Sequence, residues 1–165
     1  MKELEKKLVG LIVALSCTLI YLSNIEAATL TIGSEAGSPG DKNISIPINL
    51  TSAPGEEVSA FNFDLLFDAS RLSFKEVTLG SVAVGAGKSL SHSKPGSNTI
   101  RLVVIGLNQN VISDGTVLTC TFDIIDNAPS GKAKLTIANQ SISDPKGNQM
   151  PMTVKGGKVI VDENI

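Results

Sequence analysis

Four carboxylates stand on or beside apolar alternations: Asp64 and Asp68 in "FNFDLLFD", Asp114 in "SDGTVL" and Asp123 in "TFDII". Two such groups facing each other across a cleft could serve as acid and nucleophile in glycoside hydrolysis. The spacing specifies no cleft, and acidic residues beside strands and turns ordinarily cap turns or face water. His92, inside "SLSHSK", is the only histidine; no Gly-x-Ser-x-Gly turn occurs, and past the first 27 residues no second His or Cys is present to complete a nucleophilic pair. A Cys/His metal site is excluded by count. "SDPKGNQ" places Asp144 and Asn148 in a glycine-containing loop, but Lys146 takes an alternate position and no distal Glu follows, so a turn is expected rather than a calcium site. Cys120 alternates with Leu118 and Phe122, which marks a buried, inert thiol. The chain therefore reads as no enzyme: no catalytic residue, no metal ligand and no cofactor is assigned.

The elements that position these residues are short strands. "FNFDLLFD" alternates with period 2, placing Phe61, Phe63, Leu65 and Phe67 on a buried face and Asn62, Asp64, Leu66 and Asp68 toward water. "NISIPINL" puts Ile44, Ile46, Ile48 and Leu50 on one face, and Pro47 within it suggests an edge strand or a bulge. "ATLTIGS", "LSFKEVTLG", "TIRLVVIGL", "TVLTCTFDII", "AKLTIANQSIS" and "MTVKGGKVIV" continue in the same style between Gly/Pro turns, whereas "SVAVGAGKSLSHSKPGSN" reads as a small-residue stretch. About nine strands and no amphipathic helix predict an all-β fold, an antiparallel two-sheet sandwich or jelly roll.

The first residues differ in kind. "MKELEKK" is followed by fifteen uncharged residues, "LVGLIVALSCTLIYL", and then by "SNIEAA", with Ile25 and Ala27 at the −3 and −1 positions of a cleavage site. This is the layout of a secretory signal peptide, residues 1–27, followed by one domain over 28–165. A secreted protein, extracellular or periplasmic, is expected. An uncleaved anchor or lipidation at Cys17 is the lesser alternative, because the run is short for a membrane span and apolar residues continue past the cysteine. No stable membrane insertion is expected after signal removal. A net charge of −2 provides no basic footprint for nucleic acid. Polysaccharide platforms usually stack Trp or Tyr on sugars; this chain has no Trp, and its one Tyr, Tyr21, lies in the signal segment.

One sheet face stands out. In "IRLVVIGL", Ile100, Leu102 and Val104 fill the core, which leaves Arg101, Val103, Ile105 and Leu107 outside. The opposite choice would bury Arg101. An apolar stripe with one Arg, beside Asn62, Asp64 and Leu66, has the make-up of an interface patch.

"GSPGDKNISIPINL" followed by "VSAFNFDLLFDASRLSF" resembles the opening of a cohesin domain. "TIRLVVIGLNQNVISDGTVLTCTFDI", "NAPSGKAKLTI" and "GGKVIV" follow in the family's order, so the resemblance spans Ala28 to Asp162. It implies a nine-stranded jelly roll whose partner is a dockerin-type protein module that carries its own calcium. It also suggests a link to extracellular polysaccharide-degrading assemblies. The implied partner-binding residues are Asn62, Asp64, Leu66, Arg101, Val103, Ile105, Leu107 and Asn108. Ala60, Asn62 and Leu107-Asn108 depart from the polar and acidic residues common in cellulosomal cohesins, so a different recognition code is expected. With no second cohesin, catalytic module, surface-layer anchor or sorting motif, the resemblance is to a single-domain, non-cellulosomal type. The alternatives are a carbohydrate-binding module on the same fold, or a protein that self-associates through this face.

Overall fold

A computed structural model describes residues 27–163 of the chain; the expected signal peptide lies outside the described residues. The strands are β1 (Ala28–Ile32), β2 (Ser34–Gly37), β3 (Ile44–Thr51), β4 (Ala60–Phe67), β5 (Leu72–Leu79) and β6 (Ser89–Gly96). They continue with β7 (Thr99–Ile105), β8 (Gly115–Ile124), β9 (Gly131–Ser143), β10 (Gln149–Met150), β11 (Met152–Lys155) and β12 (Gly157–Val161). A one-and-a-half-turn helix, α1 (Ser81–Gly85), lies between β5 and β6. Two sheets pack face to face, one in the order β11-β1-β3-β8-β5 and the other β2-β12-β9-β4-β7-β6, with β10 paired to β9. The sandwich is the one the alternation implies, with twelve strands rather than nine.

The extra strands have physical origins. "ATLTIGS" breaks at Gly33 into β1 and β2, and the last segment breaks at Gly156 into β11 and β12. Each half belongs to a different sheet: β1 pairs with β11 and β2 with β12, both parallel, so the first and last described strands cross between sheets side by side. Glycine is required there because a Cβ on Gly157 would stand 2.0 Å from the Gly33 carbonyl oxygen. The sheets are consequently mixed at their margins rather than wholly antiparallel. Strand β6, read from the sequence together with α1 only as a small-residue stretch, is an edge strand whose "SLSHSKPG" is exposed almost throughout. An edge strand with no buried face writes no alternation, and its Lys94 and Pro95 suit an edge that must not recruit another chain.

Pro47 follows one of its two expectations, the bulge rather than the edge. Strand β3 is interior, paired to β1 and β8. The β1 pairing ends at Ile48, and the Pro47 carbonyl accepts from the Gly33 N–H at 2.8 Å, where β1 turns away. Proline returns no N–H bond there; its ring packs against Gly33 instead, where an added Cβ would stand 2.8 Å from Pro47 Cδ. A register shift against β8 follows one residue later, between Ile48 and Asn49.

The core lies between the sheets and joins Phe61, Phe63, Leu65 and Phe67 of β4 to Ile46, Ile48 and Leu50 of β3 and to Leu118, Cys120 and Phe122 of β8. Phe122 meets Phe67 and Phe74 with ring centroids 5.3 and 5.7 Å apart, tilted or edge-on, the arrangement aromatic quadrupoles favour. Cys120 is fully buried, and burial pushes its thiol up to about 12.

Candidate functional site

The second sheet places the candidate residues by register. On the β4–β7 ladder Asn62 lies opposite Val103 and Asp64 opposite Arg101, while β6 sets Ser89, Ser91 and Ser93 against Ile105, Val103 and Arg101. Across the other edge of β4, Asn62 faces Ser141 and Asp64 faces Ala138. The outward surface of the sheet is thus an apolar stripe, Val103 and Ile105, flanked by serines. A shallow hollow of about 170 Å³ opens at its centre, bordered by Ala60, Asn62, Val103, Ile105, Ser141 and Ser143.

Asp64 does not face water as the alternation implies; it is only 4% exposed. Arg101 Nε and Nη2 each donate to it at 2.8 Å, a two-pronged ion pair, and Asn139 Nδ2 donates at the same distance. These donors, Arg101 first, hold its carboxyl down at about 2 against the opposing effect of burial. Asn139 reaches it because β9 carries a bulge: the register slips by one residue between Asn62 and Asp64, and Asn139 takes a left-handed φ of 51°. Asparagine tolerates that conformation better than most residues. The bulge is written in the sequence, since inward positions run odd through Leu135 and Ile137 and become even at Ile142.

Beyond Ile105 the chain leaves the sheet, and Leu107 is fully exposed. Its neighbour Asn108 turns inward instead of toward a partner. Asn108 Nδ2 donates to the Gly87 carbonyl at 2.9 Å, and its Oδ1 accepts from Lys88 Nζ at 2.9 Å and from the Asn110 N–H at 3.0 Å. Lys88 is buried, and its other close partner is Ser59 Oγ at 3.0 Å. Asn110 Nδ2 ties the same loop to the Ala86 carbonyl. Sequence reasoning missed Lys88 and Asn139, whose partners are distant in the chain and leave no local signal beyond the parity change.

Of the eight expected contact residues, the sheet gathers Asn62, Asp64, Arg101, Val103 and Ile105 into one patch. Leu66 lies two residues farther along β4, half-buried rather than exposed, in a second hollow with Lys132, Lys134 and Thr136. The other carboxylates have structural partners. Asp68 accepts from Ser70 and Arg71, Asp114 from the Ser52 N–H, and Asp123 from the Asn43 N–H. Asp144 accepts from the Lys146 and Asn148 N–H groups, the turn its sequence implies. His92 is exposed on β6, edge-on to Phe74. Four of the five phenylalanines are buried and Phe74 is half-buried, so no aromatic platform faces outward among the described residues. No described helix is long and apolar enough to cross a membrane.

Residues 28–161 match the family model described as the Cohesin domain. Among curated proteins, "Cellulose-binding protein A" of Clostridium cellulovorans is 27% identical over 146 residues, covering 84% of this chain; the match spans only 8% of that protein's length. Among solved structures, the sixth cohesin of Acetivibrio cellulolyticus scaffoldin B, in complex with a Cel5 dockerin, superposes with a TM-score of 0.74 at 20% identity, covering 83% of this chain and all of that one. A non-cellulosomal cohesin from the archaeon Archaeoglobus fulgidus gives 0.70 at 20% identity, over 83% of this chain and 92% of that one.

Proposed function

The chain belongs to the cohesin domain family, and from that membership we propose that it is a non-catalytic interaction module holding a dockerin-type partner on the outward face of β4 and β7. The observation that carries the reading is the apolar stripe of Val103 and Ile105, continued by the exposed Leu107, on a sheet surface where alternation ordinarily puts polar groups. Its stiffness supports the same reading. The Arg101–Asp64–Asn139 cluster fixes the centre of the face, and the Lys88–Asn108 network fixes the loop that carries Leu107. A pre-set surface loses little side-chain freedom on binding. Action outside the cytoplasm, after removal of residues 1–27, and a link to polysaccharide-degrading assemblies are part of the proposal.

The test is binding of the purified domain to the dockerin modules encoded in the same genome, with calcium and with chelator, since the partner would carry the metal. Calcium-dependent binding at micromolar or better concentration is expected, as is its loss in Val103→Asp. Failure of every module to bind at concentrations of about 100 μM, where even weak transient contacts register, would sink the dockerin reading.

A further inference from the structure

The same outward face has a second end with a different chemistry. On β9 and β12, Lys134 lies directly opposite Lys158, and Lys132 opposite Ile160, all pointing away from the core that Ala133, Leu135 and Val159 enter. Like charges directly opposite each other weaken a strand pair, so this is a position where a fold left to itself would prefer an opposite charge. None is supplied. Among the described residues these three lysines make no ion pair. Asp68 borders the neighbouring hollow, but its oxygens are taken by Ser70 and Arg71. Asp64 is held by Arg101 and Asn139. Glu35 on β2 is exposed but lies opposite Val159 rather than a lysine, and it makes no ion pair with the three. The hollow itself, about 320 Å³, is bounded by Leu66, Thr136, Lys132 and Lys134, so it joins the basic end to β4.

Resting on the interaction reading above, we propose that Lys132, Lys134 and Lys158 form a basic contact site for an acidic surface on the same protein partner that covers Val103 and Ile105. Continuity of the face favours one partner. Lys134 is seven residues from Ser141 along β9, about 20 Å, and a standard interface of about 800 Å² per side spans that distance. Complementarity favours acidic chemistry: among the described residues the three lysines make no ion pair, and unpaired surface charges of one sign steer and select partners of the other. The module would thereby bind acid with base on its own side, whereas its centre stays electrostatically closed.

The experiment measures binding to the same panel of dockerin modules, from about 50 to about 500 mM salt, for wild type, Val103→Asp and the double variant Lys134→Glu/Lys158→Glu. Wild-type affinity should fall with salt, and the double reversal should weaken low-salt binding at least about tenfold while flattening that dependence. Thermal unfolding of the isolated domain supplies an independent readout. A change of only Lys134 to Glu creates an opposite-charge pair with Lys158 and should raise the low-salt midpoint by about 1–3 °C. A midpoint that falls would assign the lysines to the fold and overturn the proposal. Binding lost in Val103→Asp but unchanged in the lysine reversal would overturn the basic site and leave the interaction reading standing. No binding by wild type to any module would overturn both. Sodium polygalacturonate is the remaining arm: binding to it that the lysine reversal abolishes, with dockerin affinity intact, would transfer the site to an anionic polysaccharide and overturn the protein partner.

Discussion

On the outward side of β3 and β8 stand Ser45, Pro47, Asn49, Thr51, Thr119, Thr121 and Asp123, and on the outward side of β4 and β7 stand Asn62, Asp64, Leu66, Arg101, Val103 and Ile105. Both rows arise from one rule, period-2 alternation over a shared core. The first is paved mainly with short hydroxyl and amide groups, and Thr116 beside it donates to Asn49 at 2.8 Å. The second sets branched aliphatic chains around a locked ion pair. The core does not ask for Val103 or Ile105 on the outside, so folding alone leaves the difference between the faces unexplained, and the proposed contact would account for it.

The largest effect that can break this comparison is a charge placed on either side of one strand pair. Phe63→Asp buries a carboxylate where the native ring is 1% exposed, and the domain should lose its cooperative unfolding transition. Val103→Asp, on the neighbouring strand but outward, should keep the transition within about 1 kcal/mol of wild type and weaken partner binding by about 100-fold or more. Thr78→Asp, outward on β5 of the other sheet, should change neither. Chemical denaturation alongside a binding titration reads all three. Equal stability losses in Phe63→Asp and Val103→Asp would reverse the assignment of faces.

How far the sequence exposes these faces depends on whether a feature is local. Alternation in β4 and β7 is written in adjacent residues, so their buried rows, Phe61 to Phe67 and Ile100 to Val104, are legible without coordinates. Strand β6 is not, because it buries almost nothing and has no row to show. The burial of Asp64 is illegible for another reason: its environment is made by Arg101 and Asn139, which are 37 and 75 residues away and meet it only through register and a bulge. Leu66 likewise reads as a stray exposed leucine until β9 brings Thr136 opposite it and Lys134 close by. Both cases identify polar or apolar residues correctly as outward and misjudge only what else is outward beside them.

Asp64 makes a middle-sized test of whether the stiff centre belongs to the fold or to the contact. Its folded carboxyl titrates at about 2, below the ordinary value of 3.8, so the unfolded chain takes up the proton first as the solution is acidified. The stabilisation is therefore complete above about pH 4 and disappears as pH falls toward 2. Asp64→Asn should cost about 1–3 kcal/mol near neutral pH, as loss of charge-assisted hydrogen bonds usually does, and should flatten that part of the acid limb. Unfolding midpoints at intervals from pH 6 to pH 2 check it. If the variant loses stability but binds as wild type does, the cluster serves the sheet alone.

The smallest expected effect concerns Lys88, which sharpens the comparison at the edge of the contact face. It is 6% exposed, yet among the described residues its ammonium bonds only to Ser59 Oγ and to the amide and backbone oxygens of Asn108, and it makes no ion pair. Burial without a counter-charge lowers its pKa from the usual 10.5. The unfolded chain then binds more protons between the two values, so stability rises as pH climbs toward 10.5. Lys88→Met should abolish that alkaline rise and leave neutral-pH stability within about 1 kcal/mol, because lost desolvation offsets lost hydrogen bonds. What it should disturb is the loop. With Nζ gone, Asn108 keeps its bond to Gly87 but loses the ammonium that fixes its Oδ1, the acceptor for the Asn110 N–H. Amide exchange at Asn110 should quicken, and partner affinity should fall severalfold as Leu107 loses its fixed position, at nearly constant stability. Unchanged exchange would mean that the Gly87 and Ala86 carbonyls hold the loop unaided, and the buried lysine would then have no part in presenting Leu107.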